Sequence, residues 1–368
     1  MKKKILFSVD NLQVGGVQHV TLDAANLLQN AGYETHVLNY DCKNNFYHTS
    51  VPLVQQPMTP LKISGKILRK LLHLIFPKYV KDNVEYFFYK ELKRNHYDIV
   101  ILNPPFFLYL NHLKAIFPAT RFYMWMHNNF DIYQNDVSYF GNRFDELIKN
   151  VSSADGIICL EPYTASKWRK YNDNVTVIHN PATIANANKI ANLDLKIICF
   201  TGRLSLRQKG LDYLVDIAAA LPETWKISIA GSGPDEKRFL DLIAEKGLEN
   251  KFIMCGPLTG ENLINHYLNS SIFILPSRWE GMPLVSIEAM SVGLPVISFD
   301  IPAMQEVTAH GMYGLMAKGD DVQDFRNKLC QLIHSRDLRE QYSALSLERV
   351  KMFSPEVIAK DWENLINN

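Results

Sequence analysis

Cysteine is scarce in this chain, and its spacing carries no metal or disulfide signal. The five cysteines (Cys42, Cys159, Cys199, Cys255 and Cys330) are odd in number and form no C-x-x-C. Three lie in apolar, strand-like runs. A disulfide framework and a zinc site are excluded as organising devices, and a reducing cytoplasm is the expected compartment. Charge of one sign is also lacking. Lys+Arg 39 against Asp+Glu 38 leave a net charge of +1, so no global field draws the chain to nucleic acid. No stretch approaches the roughly 18 to 20 apolar residues of a membrane-spanning helix. The opening MKKKILFSVDN superficially resembles a secretory leader. Its apolar run from Ile5 to Val9 is too short for a signal core and meets Asp10 at once, so it reads as a first buried strand. The expected state is soluble, or at most peripheral on a membrane face. G-x-G-x-x-G, P-loop and G-x-S-x-G strings are all missing, and no two histidines have helical ligand spacing. A bound dinucleotide, a serine-hydrolase elbow and a helix-borne metal pair are excluded with them, and neither cofactor nor metal is expected.

What remains is ample material for a core. Hydrophobic residues are 47% and charged residues 21% of 368, a length that at about 150 residues per domain suggests two domains. Residues 1–185 carry a net +5 and the remainder a net −4. Short apolar runs alternate with amphipathic stretches, the pattern of parallel strands joined by helices. Strands are expected near Lys4–Val9, Glu34–Asn39, Ile99–Leu102, Arg121–Met126, Gly156–Leu160 and Val175–His179. A second series follows at Lys196–Thr201, Lys226–Ala230, Phe252–Cys255, Ile272–Pro276 and Pro295–Phe299. Between them, Asn180-Pro181 and a polar stretch to Asn192 mark a linker. The fold class is therefore α/β, with two doubly wound domains over residues 1–182 and 183–368. The last helix is free to pack back on the first domain. Such sheets bind ligands at the carboxyl ends of their strands, so a cleft between the domains is the expected site.

The most specific string is LPSRWEGMPLVSIEAMSVGLPVISFD, from Leu275 to Asp300. A strand ends at Pro276, Gly281 and Pro283 shape a loop, and a helix begins near Leu284. Glu280 then sits on the loop and Glu288 near the first helical turn. N–H groups of Met282, Leu284 and Val285 would face an anion at the helix start. Together these groups could span a nucleotide sugar from sugar through diphosphate to ribose. Arg203 leaves the edge of another strand, and Lys209 follows at an expected helix start. A fork of donors and a mobile point charge suit a diphosphate leaving group. Gly231, in Ala-Gly-Ser-Gly-Pro, also follows a strand. Gly15 and Gly16 follow strand one, where paired glycines permit close backbone approach. His127 ends the apolar run Tyr123–Met126.

The Glu280–Glu288 string resembles the E-x7-E signature of the retaining glycosyltransferases of family 4, also called group 1. The resemblance extends over most of the chain, more firmly in the second half. It implies the GT-B fold, two Rossmann-like domains facing a central cleft, and transfer of a sugar from a nucleotide donor to an acceptor hydroxyl. It implies that Glu280 contacts donor-sugar hydroxyls and Glu288 the ribose, with Arg203 and Lys209 on the diphosphate. Gly281, Met282, Pro283, Leu284 and Val285 would serve through their backbone. Gly231 and Gly256 would lie against the nucleotide, and Gly15 and Gly16 would face donor diphosphate and acceptor. His127 would approach the donor sugar's 6-hydroxyl, its carbonyl stabilising positive charge at the anomeric carbon. Met282 and Pro283 depart from the family's usual Phe and Gly. Glu161 replaces a usual Ser region, and Phe299–Glu306 lacks a usual glycine pair. Glu306 is read either as a sugar contact or as a surface residue. No D-x-D is present, so the metal-chelating pair of the GT-A enzymes is missing. The likeness favours a UDP-sugar donor and a bacterial surface glycan or lipid-linked acceptor. A nucleotide-sugar epimerase of the same fold and a silent partner subunit are the alternatives.

One further stretch stands out. Residues 62–94 hold nine Lys/Arg against three acids, a local +6 interleaved with apolar residues. It reads either as a helix lying on an anionic membrane surface or as a core-packed helix with a solvated basic face.

Overall fold

The computed structural model describes residues 2–13, 15–41, 46–47, 49–55, 82–184 and 189–368. They form two compact units, residues 1–178 with Ile358–Asn368, and His179–Val357. The chain thus passes from unit 1 to unit 2 four residues before the expected boundary, and its last helix returns to unit 1.

Unit 1 is built on seven parallel strands: β1 (Lys4–Asn11), β2 (Glu34–Asp41), β3 (Leu53–Gln55), β4 (Ile99–Leu102), β5 (Arg121–Met126), β6 (Gly156–Cys159) and β7 (Val175–Val177). Their order is β3-β2-β1-β4-β5-β6-β7. Unit 2 has six parallel strands: β8 (Ile197–Thr201), β9 (Lys226–Ala230), β10 (Phe252–Gly256), β11 (Ile272–Leu275), β12 (Val296–Phe299) and β13 (Leu315–Ala317). Their order is β10-β9-β8-β11-β12-β13. Helices cover both faces, so the central strands are buried throughout and read as unbroken apolar runs such as IVIL in β4 and IFIL in β11. In each sheet the order reverses beside the unit's first strand, between β1 and β4 and between β8 and β11. Loops diverge there at the strand ends, leaving the crevice in which doubly wound sheets hold ligands.

Several elements were not read from sequence, among them the helices Leu110–Ile116, Phe130–Asn135, Phe144–Ser153, Pro162–Trp168 and Pro302–Val307. Two others show why. β3 is three residues long. The helix Arg336–Arg349 buries only Arg339, Ser343 and Ser346, so it carries no apolar stripe to betray it. A third was misplaced. One helix was expected over Lys209–Leu221, whereas the chain forms a turn at Leu206–Lys209, breaks at Gly210 and resumes at Leu211–Ala219. Gly210 sits at φ 61°, and a Cβ there would lie 2.1 Å from the Pro276 carbonyl oxygen. Only glycine lets the turn press against the end of β11.

Of the basic stretch 62–94, residues 62–81 lie outside the described residues. The remainder enters the helix Asn83–Asn95, which buries Phe87, Phe88 and Leu92 in the core of unit 1. Those three side chains face protein rather than lipid. Among the described residues no helix is long and apolar enough to cross a membrane.

The returning helix, Pro355–Asn367, closes unit 1. Trp362 is fully buried, with its ring edge-on to Phe7 at 5.6 Å and to Trp125 at 4.8 Å. Lys3 and Arg121 both donate to the Ile366 carbonyl. Removing so large a side chain leaves a cavity that the rigid strands β1 and β5 cannot fill. Trp362→Ala is therefore expected to cost about 3–5 kcal/mol, read as an earlier urea transition of unit 1 with unit 2 unmoved. A loss below about 1 kcal/mol would show that the helix is only loosely docked.

Candidate active site

In unit 2 the chemistry gathers at the β8/β11 reversal. Beyond Thr201 the chain turns through Gly202, and Arg203 emerges exposed with no partner among the described residues. The turn Leu206–Lys209 is tied down from β11's side. The Arg278 N–H donates to the Gln208 carbonyl at 2.9 Å. The Arg278 guanidinium donates to the Leu206 and Arg207 carbonyls, forks onto Asp212 at 2.6 and 2.9 Å, and lies 3.8 Å over the Tyr213 ring. Asp212 is held below its ordinary pKa by those hydrogen bonds, against the opposing effect of its own partial burial. The staple brings Lys209 Nζ to 2.6 Å from Glu280 Oε1, both side chains nearly out of water. Lys209 thus stands at the C-terminal end of a helical turn, not at a helix start, and its sequence neighbour Gly210 sets that position. Arg278 was not singled out from sequence, since one arginine between Ser277 and Trp279 gives no local signal.

Glu288 is oriented from two sides. Tyr267 donates to its Oε2 at 2.8 Å and Thr183 to its Oε1 at 2.7 Å. Burial, reinforced by the nearby carboxylate, raises the Tyr267 hydroxyl pKa far above its ordinary value, so it stays a donor. Glu288 lies in the second turn of the helix Leu284–Ser291 rather than the first. No side chain caps that helix, whose start follows Gly281, Met282 and Pro283. Asn180 grips Met282, donating from its backbone N to Sδ and from Nδ2 to the carbonyl, both at 3.3 Å. Leu284 and Val285 open the helix. Gly231 sits at φ 149°, and a Cβ would lie 1.9 Å from the Gly202 carbonyl oxygen. Its N–H is committed to the Gly256 carbonyl at 2.8 Å, so this glycine acts by close approach and not as a free donor.

In unit 1 the corresponding edge holds Asp10, whose Oδ1 accepts from Gln18 at 3.2 Å, and a set of neutral groups. Gly15 and Gly16 open the uncapped helix Gly16–Asn30, and a Cβ on Gly16 would meet nothing within 4 Å. His127, just past β5, donates its N–H to Tyr133 Oη at 3.0 Å and presents Nε2 to Asn103 Oδ1 at 2.8 Å. Burial pushes its pKa down to about 3, so the ring is neutral.

Two ambiguous acids find structural partners. Glu161 caps the helix Pro162–Trp168, accepting from the N–H groups of Tyr163 and Thr164. Glu306 meets His179 at 3.0 Å and Arg349 at 3.6 Å, and these contacts hold its carboxyl below the usual range.

Comparison with known proteins converges on one family. The pattern described as Glycosyl transferases group 1 matches residues 183–346, and that described as Glycosyltransferase Family 4 matches residues 14–185. An uncharacterized glycosyltransferase of Haemophilus influenzae is 27% identical over 99% of this chain and 100% of its own length. The amylovoran biosynthesis glycosyltransferase AmsD of Erwinia amylovora is 28% identical over 53% of this chain and 56% of its own. A Staphylococcus aureus TarM structure, in complex with fondaparinux, alpha-GlcNAc-glycerol and UDP, superposes with a TM-score of 0.80 over 100% of both chains at 17% identity. Two family patterns that together span residues 14–346, and this shared architecture, place the chain among the group 1, family 4 glycosyltransferases of GT-B fold.

Proposed function

We propose that the protein transfers a sugar, with retention of anomeric configuration, from a UDP-sugar to an acceptor hydroxyl of a bacterial surface glycan or glycolipid. One observation carries this reading: Arg203, Lys209, Glu280 and Glu288 all belong to segments leaving β8 and β11, where unit 2's sheet reverses. The UDP component is supported by the UDP complex of the similar TarM structure, and the acceptor class by the amylovoran biosynthesis in the name of AmsD.

In this scheme Arg203 and Lys209 hold the departing diphosphate, with the uncapped start of Leu284–Ser291 adding positive potential. Charge accumulates on the diphosphate as the glycosidic bond breaks, so groups aimed there act most strongly at the transition state. The diphosphate itself takes the acceptor proton on the same face, and no side-chain base is assigned. Glu288, fixed by Tyr267 and Thr183, takes the ribose. Glu280 takes sugar hydroxyls once the diphosphate draws Lys209 away from it. Gly15, Gly16 and His127 of unit 1 are assigned to donor sugar and acceptor. No step is given to a metal or a cofactor.

Arg203→Ala and Lys209→Ala are each expected to lower kcat/KM at least 100-fold, about 3 kcal/mol, with the thermal transition unchanged for Arg203→Ala. Turnover like wild type in both variants would remove them from the mechanism, and complete loss of activity in EDTA would bring a metal into it.

The two glutamates are expected to separate in calorimetry with UDP. Glu288→Gln weakens UDP binding about tenfold or more, because the lost carboxylate charge served the ribose. Glu280→Gln removes the anion that competes for Lys209, so it binds UDP at least as tightly as wild type while losing turnover. Normal UDP affinity in Glu288→Gln would overturn this division.

A further inference from the structure

The amide of Asn103 is determined on every side. It lies one residue beyond β4 and is fully buried, as are Ser8 and Thr21. Its Nδ2 donates to the Ser8 carbonyl at 2.8 Å and to Thr21 Oγ1 at 2.7 Å. The Thr21 hydroxyl proton already goes to the Val17 carbonyl at 2.7 Å, so Thr21 can only accept from Asn103. Turning the amide over would set its oxygen against the Ser8 carbonyl, which can only accept, at a fully buried position, and a single orientation is held. Oδ1 therefore faces His127 Nε2, 2.8 Å away. An amide oxygen has no proton to give. The proton in that bond belongs to Nε2, and in a neutral ring Nδ1 is then bare. His127 Nδ1 makes no hydrogen bond among the described residues.

We propose that Asn103 is a positioning residue that fixes His127 as the Nε2–H tautomer, so that Nδ1 offers the substrate only a hydrogen-bond acceptor. This rests on the reading of His127 as a sugar-facing group. An acceptor-only nitrogen accepts a hydrogen bond from a hydroxyl and repels a carboxylate. The sugar it meets is a neutral hexose or hexosamine, not a uronate. A site built around one hydrogen bond rejects the analogue that cannot make it, because the buried polar atom is left unpaired. The device sits at the β1/β4 reversal of unit 1. Ser8 comes from β1, Thr21 from the helix that follows it, and Asn103 from the end of the neighbouring strand β4, so three elements that meet at the reversal set one proton.

Nitrogen-15 NMR of the intact wild-type chain reads the tautomer directly. Once assigned by their loss in His127→Gln, the ring signals should be pyrrole-like for Nε2 and pyridine-like for Nδ1 near neutral pH. An Nδ1–H ring or an imidazolium overturns the proposal. Asn103→Leu keeps the branched side-chain shape and removes the oxygen. It should give mixed tautomers and lower kcat/KM for whichever of UDP-glucose, UDP-galactose and UDP-N-acetylglucosamine is turned over by about tenfold or more, with calorimetric UDP affinity unchanged. Undiminished kcat/KM in a mixed-tautomer variant overturns the positioning role. Should Asn103→Leu fail to fold, the wild-type spectrum and wild-type selectivity still decide. Wild type should turn over UDP-glucuronate on the order of 100-fold less efficiently than the neutral donor, and equal efficiency overturns the acceptor-only assignment. Failure of wild type to bind UDP or turn over any nucleotide sugar would instead defeat the glycosyltransfer scheme, and the spectrum would still assign the tautomer.

Discussion

The ion pair between Lys209 and Glu280 is the contact on which the unit 2 site depends. Two charges taken from water gain from each other only if their surroundings hold the geometry, since desolvation offsets most of their attraction. Here the geometry is imposed from outside the pair. Gly210 lets the turn carrying Lys209 press on the end of β11, and Arg278 binds that turn through three carbonyls and Asp212. A site so arranged holds a lysine aimed before any ligand arrives, with a carboxylate standing where an incoming anion would compete. In the proposed scheme, the electrostatic preorganisation that departure of the diphosphate needs is built into loop geometry rather than paid for at the moment of reaction.

The same logic extends to Glu288. Tyr267, on the helix Gly260–Leu268, and Thr183, in the segment entering unit 2, each fill one carboxylate oxygen. Each oxygen retains a further lone pair, so a pair of hydroxyls can still donate. Asn180, three residues before Thr183, holds Met282. The entry segment is thereby bonded to both ends of the loop and helix that carry the site.

How far the sequence spoke for itself depended on the range of the interaction. Parallel strands were legible because burial on both faces writes continuous apolar runs, as in β4 and β11. The E-x7-E string was legible because its loop and helix start are local. Lys209 was placed on the wrong side of a helix boundary, because what stops the turn is the approach of Gly210 to Pro276, 66 positions away in sequence. Arg278, Tyr267, Thr183 and Asn103 were missed for the same reason. Each acts through a partner that only the fold supplies, and none sits in a pattern that spacing alone can read. Glu161 and Glu306 show the converse. An acid in a suggestive position found a helix start in one case and a His–Arg pair in the other.

The two units share a strand order and differ in what they place where it reverses. Unit 1 sets Ser8, Thr21, Asn103 and His127 there, a chain of neutral groups in which every hydrogen has a fixed direction. Unit 2 sets Arg203, Lys209, Glu280 and Glu288 there, all charged. Neutral, directional groups discriminate by requiring a matching donor, and they lose little when salt or field changes. Charged groups act through magnitude, and they suit a fragment whose charge grows during reaction. A sugar nucleotide has both characters at its two ends: hydroxyls whose positions distinguish one hexose from another, and a diphosphate common to all of them. In the proposed scheme the neutral network discriminates between sugars, and the charged set draws out the diphosphate. A change of donor sugar within the same architecture would then need to alter the neutral network while leaving the charged one intact.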